Sequence, residues 1–313
     1  MKFKNLVVSG GGIKGALTLG AIKELEKDNW LDDIENVLGT SIGSFIGLLH
    51  IIGYTGDEMN KVFCDVNMNE YRKISIKNLM NNFGLDNGDD MMKLWKAIIK
   101  YKTGDGNITF QQIYDKYQKS IIISAVQLNP TKTVYFTKEN EPDMSVIEAI
   151  RLSISVPIYY TPKKWKGKYY LDGSTIDHFH SGYFPEDEKT LYLLIYSKYV
   201  KNDKDIDEIN TFQSYLKFMF YSIFDYIQEG QFEDIVCNPA VMNIEYNYTH
   251  LEFLDSKIET SDVQNMINEG QNRTREYIDR IKTVDNNYSV NKKSIMKNMF
   301  YSWKEIYMIK NKY

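Results

Sequence analysis

Short apolar segments alternate with helical patterns along the first two thirds of the chain. Continuous apolar runs are typical of strands that are buried on both faces. Such runs predict strands at 6–9, 35–39, 120–126, 133–137, 169–171 and 191–196. Because helical patterns separate several of these strands, we expect a mostly parallel sheet that is covered on both faces. The pattern therefore predicts an α/β fold.

The pattern is more polar in residues 60–119. A loose segment rich in asparagine, aspartate and glycine lies there, before a helical pattern at 91–101. Segments of this kind that interrupt an alternating pattern are typical of surface insertions. We interpret 60–119 as a possible cap or lid insertion.

The last third of the chain is charged and has a helical pattern. Helices are predicted at 261–282 and 294–310. A chain of 313 residues suits one large domain, or one domain with an extension. We therefore divide it into a main α/β domain at 1–200 and a helical C-terminal extension at 201–313, which packs on that domain or is appended to it.

A serine stands where a predicted strand runs into an apolar helical pattern. The run 39–43, Gly-Thr-Ser-Ile-Gly, fits the Gly-x-Ser-x-Gly of a nucleophile elbow. Glycines on either side of the serine leave room for the sharp turn that exposes the hydroxyl. The motif alone is weak, because it also occurs in loops. Its position between a strand and a helix makes Ser41 a candidate nucleophile.

A glycine-rich turn follows the first predicted strand. The run 10–15, Gly-Gly-Gly-Ile-Lys-Gly, leads into a helical pattern, and backbone N–H groups at a helix N-terminus stabilise an anion. That anion is either the oxyanion of a hydrolase intermediate or the pyrophosphate of a dinucleotide. A dinucleotide site needs an acidic residue at the end of the second strand. Because Asp32, Asp33 and Glu35 precede the apolar part of that strand, the oxyanion interpretation is favoured.

Composition and charge exclude several classes. The formal net charge is -4 and no dense cluster of lysine or arginine occurs, so we expect no nucleic-acid partner. Two cysteines, Cys64 and Cys237, cannot build a disulfide framework, and the first apolar run is too short for a signal peptide. The uncharged stretch 37–54 contains the elbow and only just reaches spanning length. We expect an intracellular protein without a transmembrane helix.

A serine nucleophile needs a group that accepts its proton. The usual acceptor is a histidine held by a carboxylate, but a desolvated carboxylate within hydrogen-bond reach can do the same. Asp172 ends an apolar predicted strand, and Gly173 after it permits a tight turn. An Asp-Gly pair by itself is more typical of an ordinary β-turn, so the pair alone leaves both interpretations open.

Three motifs follow one another along the chain: the glycine-rich turn, the Gly-Thr-Ser-Ile-Gly elbow and Asp-Gly-Ser. In this order they resemble the patatin-like phospholipase family. The resemblance covers about the first two thirds of the chain and includes 104–114, 120–129 and 151–157. It implies a three-layer α/β/α sandwich with a mostly parallel central sheet, and it makes 1–200 the catalytic domain.

The resemblance also implies roles for the residues of the three motifs. Ser41 is the nucleophile and Asp172 the general base of a Ser-Asp dyad, and Gly39 and Gly43 shape the elbow. The reaction implied is hydrolysis of a phospholipid or another lipid ester through an acyl-enzyme, with no cofactor and no metal. The implied oxyanion-hole residues are Gly10, Gly11, Gly12, Lys14 and Gly15. Gly173, Ser174 and His178 lie near the base in the sequence and are candidates to support it.

Several positions depart from the family pattern. Lys14 stands where arginine is usual, which keeps the charge but loses the planar fork. Ser174 replaces a commoner glycine or alanine, and His178 and His180 replace asparagine and proline. These histidines are either surface substitutions or groups that tune the base. Together with Asp177 they also permit a metal site, which we disfavour because no further ligand has suitable spacing.

A lipid substrate implies contact with a membrane interface, so we expect peripheral membrane association. Two segments are candidates for that contact. Residues 211–227 are apolar nearly all round, which core packing explains more simply, and residues 81–100 are the rival. An activator protein is also possible for this family. The alternatives are an acyltransferase or non-lipid esterase with the same dyad, and an inactive lipid- or nucleotide-binding module.

Overall fold

The computed structural model describes residues 2–185, 189–199, 209, 211–235, 238, 240–248 and 259–288. Its strands are β1 (Asn5–Val8), β2 (Asn36–Thr40), β3 (Gly84–Asp86), β4 (Ser120–Gln127), β5 (Lys132–Phe136), β6 (Ile158–Tyr160), β7 (Lys163–Trp165), β8 (Lys168–Asp172), β9 (Thr190–Tyr199) and β10 (Val241–Tyr248). Its helices are α1 (Gly15–Lys27), α2 (Ile42–Ile51), α3 (Gly56–Asp65), α4 (Ile76–Asn82), α5 (Asp89–Thr103), α6 (Phe110–Tyr117), α7 (Val146–Ser153), α8 (Phe212–Ile235) and α9 (Thr260–Tyr288).

The central sheet has the strand order β10-β9-β1-β2-β4-β8-β7, and β5 also pairs with β4. The pairs from β10 to β4 along this order are parallel. The pairs of β4 with β5, β4 with β8 and β7 with β8 are antiparallel. Strands β3 and β6 form a separate two-stranded sheet. The predicted α/β fold with a mostly parallel central sheet is confirmed.

Apolar side chains are buried on both faces of the sheet. Side chains alternate between the two faces along each strand, so each strand contributes to both cores. On β1, Leu6 and Val8 belong to the larger core, to which α1, α2, α7 and α9 contribute. Val7 lies on the other face, in a smaller cluster with Phe179 and with Ile235 at the end of α8. The sheet is therefore the middle of three layers.

The segment 60–119 shares the larger core instead of lying apart from it. Its Trp95, on α5, stacks on Phe45 of α2 with ring centroids 4.2 Å apart. Phe110 and Ile113 of α6 are also buried in that core. A lid function for this segment stays a prediction, but α5 supports the helix that follows the elbow.

We predict a helical extension at 201–313, but the structure shows that this part of the chain also contains a strand. Strand β10 pairs in parallel with β9 along its whole length and forms the edge of the central sheet. Apolar Val241, Met242 and Ile244 are buried there, so this strand belongs to the main fold. The predicted helix at 261–282 lies within α9, whereas 294–310 and Cys237 are outside the described residues. No helix within the described ranges is long and apolar enough to cross a membrane.

Helix α9 packs on α1 through glycines on both helices. A Cβ on Gly20 would lie 2.0 Å from the carbonyl oxygen of Ile267, and a Cβ on Gly270 would lie 2.0 Å from the carbonyl oxygen of Leu17. Real Cβ atoms do not approach backbone this closely, so the two helix axes can be this near only because both positions are glycine. The contact ties the end of the described chain to the helix after the glycine-rich turn.

We expect Gly270→Ala to destabilise the fold by about 1 to 3 kcal/mol, because the added methyl group forces α1 and α9 apart. The measurement is the free energy of unfolding in urea. Gly230→Ala on α8 is the control, since no described atom lies within 4 Å of a Cβ there. An unchanged free energy of unfolding for Gly270→Ala would contradict the close packing.

Candidate active site

Strands β2 and β8 meet end to end on one edge of β4. Residues 123–124 of β4 pair with both β2 and β5, and residues 125–127 pair with both β5 and β8. Since β5 occupies one edge throughout, β2 and β8 share the other edge. Strand β2 runs parallel to β4 and ends opposite Ser124, whereas β8 runs antiparallel and ends with Asp172 opposite Ala125. This register places Ser41, which follows β2, beside Asp172.

Ser41 has the strained backbone of a nucleophile elbow. Its φ of 53° and ψ of -128° lie outside the regions that non-glycine residues prefer, and α2 begins at the next residue. A Cβ on Gly39 would lie 2.3 Å from the Cα of Ser44, and a Cβ on Gly43 would lie 2.4 Å from the carbonyl oxygen of Val8. Both glycines are therefore required by close backbone contacts around the turn.

The glycine-rich turn lies against the same serine. A Cβ on Gly10 would lie 3.2 Å from the Cβ of Ser41 and 2.4 Å from the Oγ of Ser174. The parallel register of β1 and β2, in which Val8 pairs with Gly39, accounts for this contact. The backbone after β1 thus passes directly beside the candidate nucleophile.

The rest of the turn leads into α1. Gly12 has a φ of 56°, which glycine adopts without strain. The N–H of Lys14 donates a hydrogen bond to the carbonyl oxygen of Gly11 at 3.0 Å. A Cβ on Gly15 would lie 2.9 Å from a side-chain carbon of Ile42, the first residue of α2. The N-terminal ends of α1 and α2 are therefore packed together beside Ser41.

Asp172 is a buried carboxyl group with only 2% of its surface exposed. Its Oδ1 accepts a hydrogen bond of 2.8 Å from the N–H of Ser174. Burial raises the pKa of Asp172 to about 6, and the nearby Ser41 and Ser174 only partly offset that effect. The Oδ2 of Asp172 has no hydrogen-bond partner among the described residues. Gly173 follows Asp172, and only glycine fits at this position because a Cβ there would lie 2.5 Å from the Oγ of Ser124.

One short segment holds both candidate residues. The N–H of Ser41 donates a hydrogen bond of 2.8 Å to the Oγ of Ser153, the last residue of α7. Two residues later, the carbonyl oxygen of Ser155 accepts a hydrogen bond of 3.0 Å from the N–H of Asp172. The end of α7 therefore positions the backbone of the elbow and that of the carboxylate together.

A buried arginine anchors this segment. Arg151 donates hydrogen bonds to the Oγ of Ser155 at 2.8 Å and to the carbonyl oxygens of Asn87 and Thr161 at 3.0 and 2.8 Å. Burial lowers the pKa of Arg151 to about 10, which leaves it charged at neutral pH. The sequence alone predicted no role for Arg151, Ser153 or Ser155. The only local signal was a polar residue at every second position of an otherwise apolar stretch.

Both histidines are buried, so the alternative that they are surface substitutions is wrong. His178 is 5% exposed and its Nε2 lies 3.2 Å from the carbonyl oxygen of Ile195. Burial lowers the pKa of His178 to about 4, and the ring is neutral at pH 7. His180 is 1% exposed, with its Nδ1 3.1 Å from the hydroxyl of Tyr135 and 3.1 Å from a carboxylate oxygen of Asp177. Tuning of Asp172 by either histidine stays a prediction.

Metal coordination has no support in this arrangement. Among the described residues, no three histidine, cysteine, aspartate or glutamate side chains lie close enough together to hold a metal ion. The oxygen of Asp177 and the ring of His180 are already paired with each other. The candidate chemistry therefore belongs to Ser41, Asp172 and the adjacent backbone.

A family model of patatin-like phospholipases matches residues 6–180 of the chain. An uncharacterized protein of Acanthamoeba polyphaga mimivirus is 33% identical over 224 residues, which cover 69% of this chain and 74% of that protein. A probable lipid hydrolase of Invertebrate iridescent virus 6 is 30% identical over 185 residues, which cover 56% of this chain and 61% of that protein.

Among solved structures, VipD from Legionella pneumophila has a similar fold. The TM-score is 0.58 at 15% identity, with 89% of this chain and 67% of that chain covered. At this identity the similarity concerns the fold alone. The family match spans more than half of the chain and includes the glycine-rich turn, the elbow and Asp172. The chain belongs to the patatin-like phospholipase family.

Proposed function

We propose that this chain is a lipid acyl hydrolase in which Ser41 and Asp172 act as a catalytic dyad. The observation that carries the proposal is the end-to-end meeting of β2 and β8, which sets a strained serine beside a buried carboxyl group. The family match and the iridescent virus relative, a probable lipid hydrolase, support lipid esters as the substrate class. The carboxyl end of β2 carries Ser41, so an acidic ribose ligand for a dinucleotide has no place there.

In the proposed reaction, the Oγ of Ser41 attacks the ester carbonyl carbon while Asp172 accepts the hydroxyl proton. The C–O bond to the leaving alcohol then breaks, and Asp172 returns the proton to the alkoxide. The serine is left as an acyl ester. Water attacks this ester, Asp172 accepts a proton from the water, and the proton returns to Oγ as the fatty acid leaves.

The backbone of the glycine-rich turn is the proposed oxyanion hole. It passes beside Ser41 through Gly10 and leads through a short 3-10 turn into α1. The N–H groups of Lys14 and Gly15 already bond to carbonyl oxygens of that turn, so the proposed donors are the N–H groups around Gly11 and Gly12 that precede them. Donors placed before the reaction stabilise the negative charge that develops on the carbonyl oxygen. Lys14, in the last position before α1, adds positive charge to this end of the site.

Burial of Asp172 fits it to the role of a base. A carboxylate whose pKa is about 6 is mostly ionised at pH 7, yet it binds a proton more tightly than an ordinary aspartate. Neutral His178 directs its Nε2 to a backbone carbonyl. The proposed dyad therefore works without an imidazole.

The direct test is fatty-acid release from mixed phospholipid vesicles, together with labelling by a fluorophosphonate. Ser41→Ala should lose both signals, and Asp172→Asn should lose release by at least about 10³-fold. Asp143→Asn, which alters an exposed carboxylate, is the control and should behave as the wild type. Release that persists in Ser41→Ala would exclude the dyad. A folded wild-type protein with neither signal, on vesicles or on soluble esters, would favour a binding role.

We expect kcat/KM on a soluble ester to rise with pH, with its midpoint at pH about 6, and then to level off, because only the ionised Asp172 accepts the proton. A pH–rate profile with a single ascending limb would report this ionisation. A midpoint near about 4, the ordinary value of an aspartate, would mean that the base is not desolvated.

The same ionisation can be measured without substrate. The folded protein binds the Asp172 proton more tightly than the unfolded chain does, so the carboxyl group contributes a free energy of unfolding that falls as pH rises. The free energy of unfolding falls by about 3 kcal/mol between pH about 4, the pKa of an ordinary aspartate, and pH about 6, the pKa of Asp172 in the folded protein. Asp172→Asn should remove this part of the pH dependence, and Asp143→Asn should retain it.

Ser153→Ala tests the hydrogen bond that holds the elbow. Loss of a buried hydrogen bond of this kind corresponds to about 1 to 1.5 kcal/mol, so we expect kcat and the labelling rate to fall about tenfold with little change in KM. Ser145→Ala at the start of the same helix is the control, because the Ser145 hydroxyl makes no hydrogen bond within the described part of the chain. Equal kcat values for the two variants would argue against a positioning role for Ser153.

A further inference from the structure

Helix α4 and its flanks expose a set of large apolar side chains. We call this set the α4 surface; it consists of Ile74, Ile76, Met80 and Phe83, which are 48%, 74%, 74% and 71% exposed. Four such side chains within ten residues form a patch that is unusual for a surface without a partner. Residues 81–100 are one of the two predicted interfacial segments. Most of them belong to α5, whose apolar side is buried in the core and therefore cannot contact a membrane.

The α4 surface is held outward by a rigid base. The Nδ2 of Asn78 donates hydrogen bonds of 2.7 Å to the carbonyl oxygen of Gly84 and of 3.1 Å to the Oγ1 of Thr161. The N–H of Ser75 donates a hydrogen bond of 2.9 Å to the carbonyl oxygen of Leu85. The exposed side chains are therefore presented by an ordered element.

Phe83 stands at a position where a small residue would be expected. It caps α4 with φ 63° and ψ 22°, the left-handed conformation that glycine or asparagine usually adopts at a helix end. A bulky aromatic residue in this conformation stores strain, and such outliers concentrate at functional positions. The ring is nevertheless exposed, so packing contacts in the described structure do not offset the strain energy.

Basic residues occur on α4 and on the neighbouring β7–β8 hairpin. Lys77 lies on α4, and the hairpin of β7 and β8 contains four lysines in the sequence Lys-Lys-Trp-Lys-Gly-Lys. Some of these pair with acids, as Lys166 does with Glu141 at 2.7 Å. Lys77 and Lys164 are exposed and have no ion pair among the described residues. Exposed apolar side chains combined with exposed lysines complement a bilayer that carries anionic head groups.

The β7–β8 hairpin lies toward the edge of the sheet that carries Ser41. Gln127, the last residue of β4, pairs with Tyr170, and the N–H of Leu128 donates a hydrogen bond to the carbonyl oxygen of Tyr169. The β7–β8 hairpin therefore extends beyond the carboxyl end of β4, in the direction in which β2 leads into Ser41. Helix α4 meets the base of this hairpin through Thr161.

We propose that the α4 surface and the β7–β8 hairpin dock the protein on an anionic phospholipid bilayer, with the edge of the sheet that carries Ser41 facing the lipid. This docking rests on the proposed lipid hydrolysis and names the surface through which the enzyme reaches its substrate. Lipid is the assigned occupant because exposed lysines accompany the apolar side chains and because the hairpin lies toward the edge of the sheet that carries Ser41.

Helix α8 is the competing surface and differs in charge. It exposes Phe212, Tyr215, Ile223 and Tyr226, so core packing does not account for all of the apolar residues at 211–227. The sequence of α8 contains four acidic residues and one lysine. Anionic lipid would repel this helix, whereas it would attract the α4 surface.

The experiment compares cosedimentation with vesicles of phosphatidylcholine alone and of phosphatidylcholine mixed with phosphatidylserine in roughly 7:3 proportion. Wild type should prefer the mixed vesicles, and added salt should weaken its binding. The double variant Met80→Asp, Phe83→Asp should lose at least about tenfold in binding. Both side chains are exposed, and aspartate tolerates the left-handed conformation, so the fold should persist.

The matched control is Phe212→Asp, Tyr226→Asp on α8, which should bind mixed vesicles as the wild type does. Lys77→Glu, Lys164→Glu should remove the preference for phosphatidylserine. All variants should hydrolyse a soluble short-chain ester at the wild-type rate, which separates docking from catalysis. If that hydrolysis fails in wild type while vesicle binding is intact, the proposed reaction is wrong and the docking surface stands.

Three outcomes would overturn the docking proposal. The first is vesicle binding by the α4 variant that equals the wild-type value. The second is loss of binding in the α8 variant instead. The third is a wild-type dimer in sedimentation that the α4 variant converts to a monomer, which would assign the surface to a second copy of the chain.

Discussion

The shared edge of β4 is the constraint on which the rest of the site depends. A strand edge offers one row of N–H and C=O groups, and here β2 and β8 divide that row between them. Because the two strands run in opposite directions, their carboxyl ends face each other, and the residues at those ends meet. Ser41 and Asp172 are far apart in the chain but neighbours in the sheet for this reason.

The close approach of the ends of β2 and β8 also explains why glycines lie around the candidate site. Gly39, Gly43 and Gly173 each lie where a Cβ would collide with backbone or with a buried side chain. Desolvation follows from the same packing, and it raises the pKa of Asp172. Geometry and acid–base character of the candidate site thus have one cause.

Arg151 connects this site to the surface around α4. Its guanidinium bonds to the carbonyl oxygens of Asn87 and Thr161, while Ser153 and Ser155 beyond it hold the backbone of the two candidate residues. Thr161 also accepts a hydrogen bond from Asn78 of α4. A single hydrogen-bonded framework therefore supports the elbow, the carboxylate and the segment that we propose to meet the membrane.

Sequence alone determined the features that depend on neighbouring residues. Apolar runs and glycine spacing predicted the six strands corresponding to β1, β2, β4, β5, β8 and β9, and the turn from strand to helix at Ser41, because periodicity and backbone freedom act over a few residues. Only the tertiary structure decided that β10 joins the sheet, that His178 and His180 are buried, and that Ser153 holds the elbow. Each of these depends on contacts between residues distant in the chain, and a local pattern carries no record of which distant residue will be the partner.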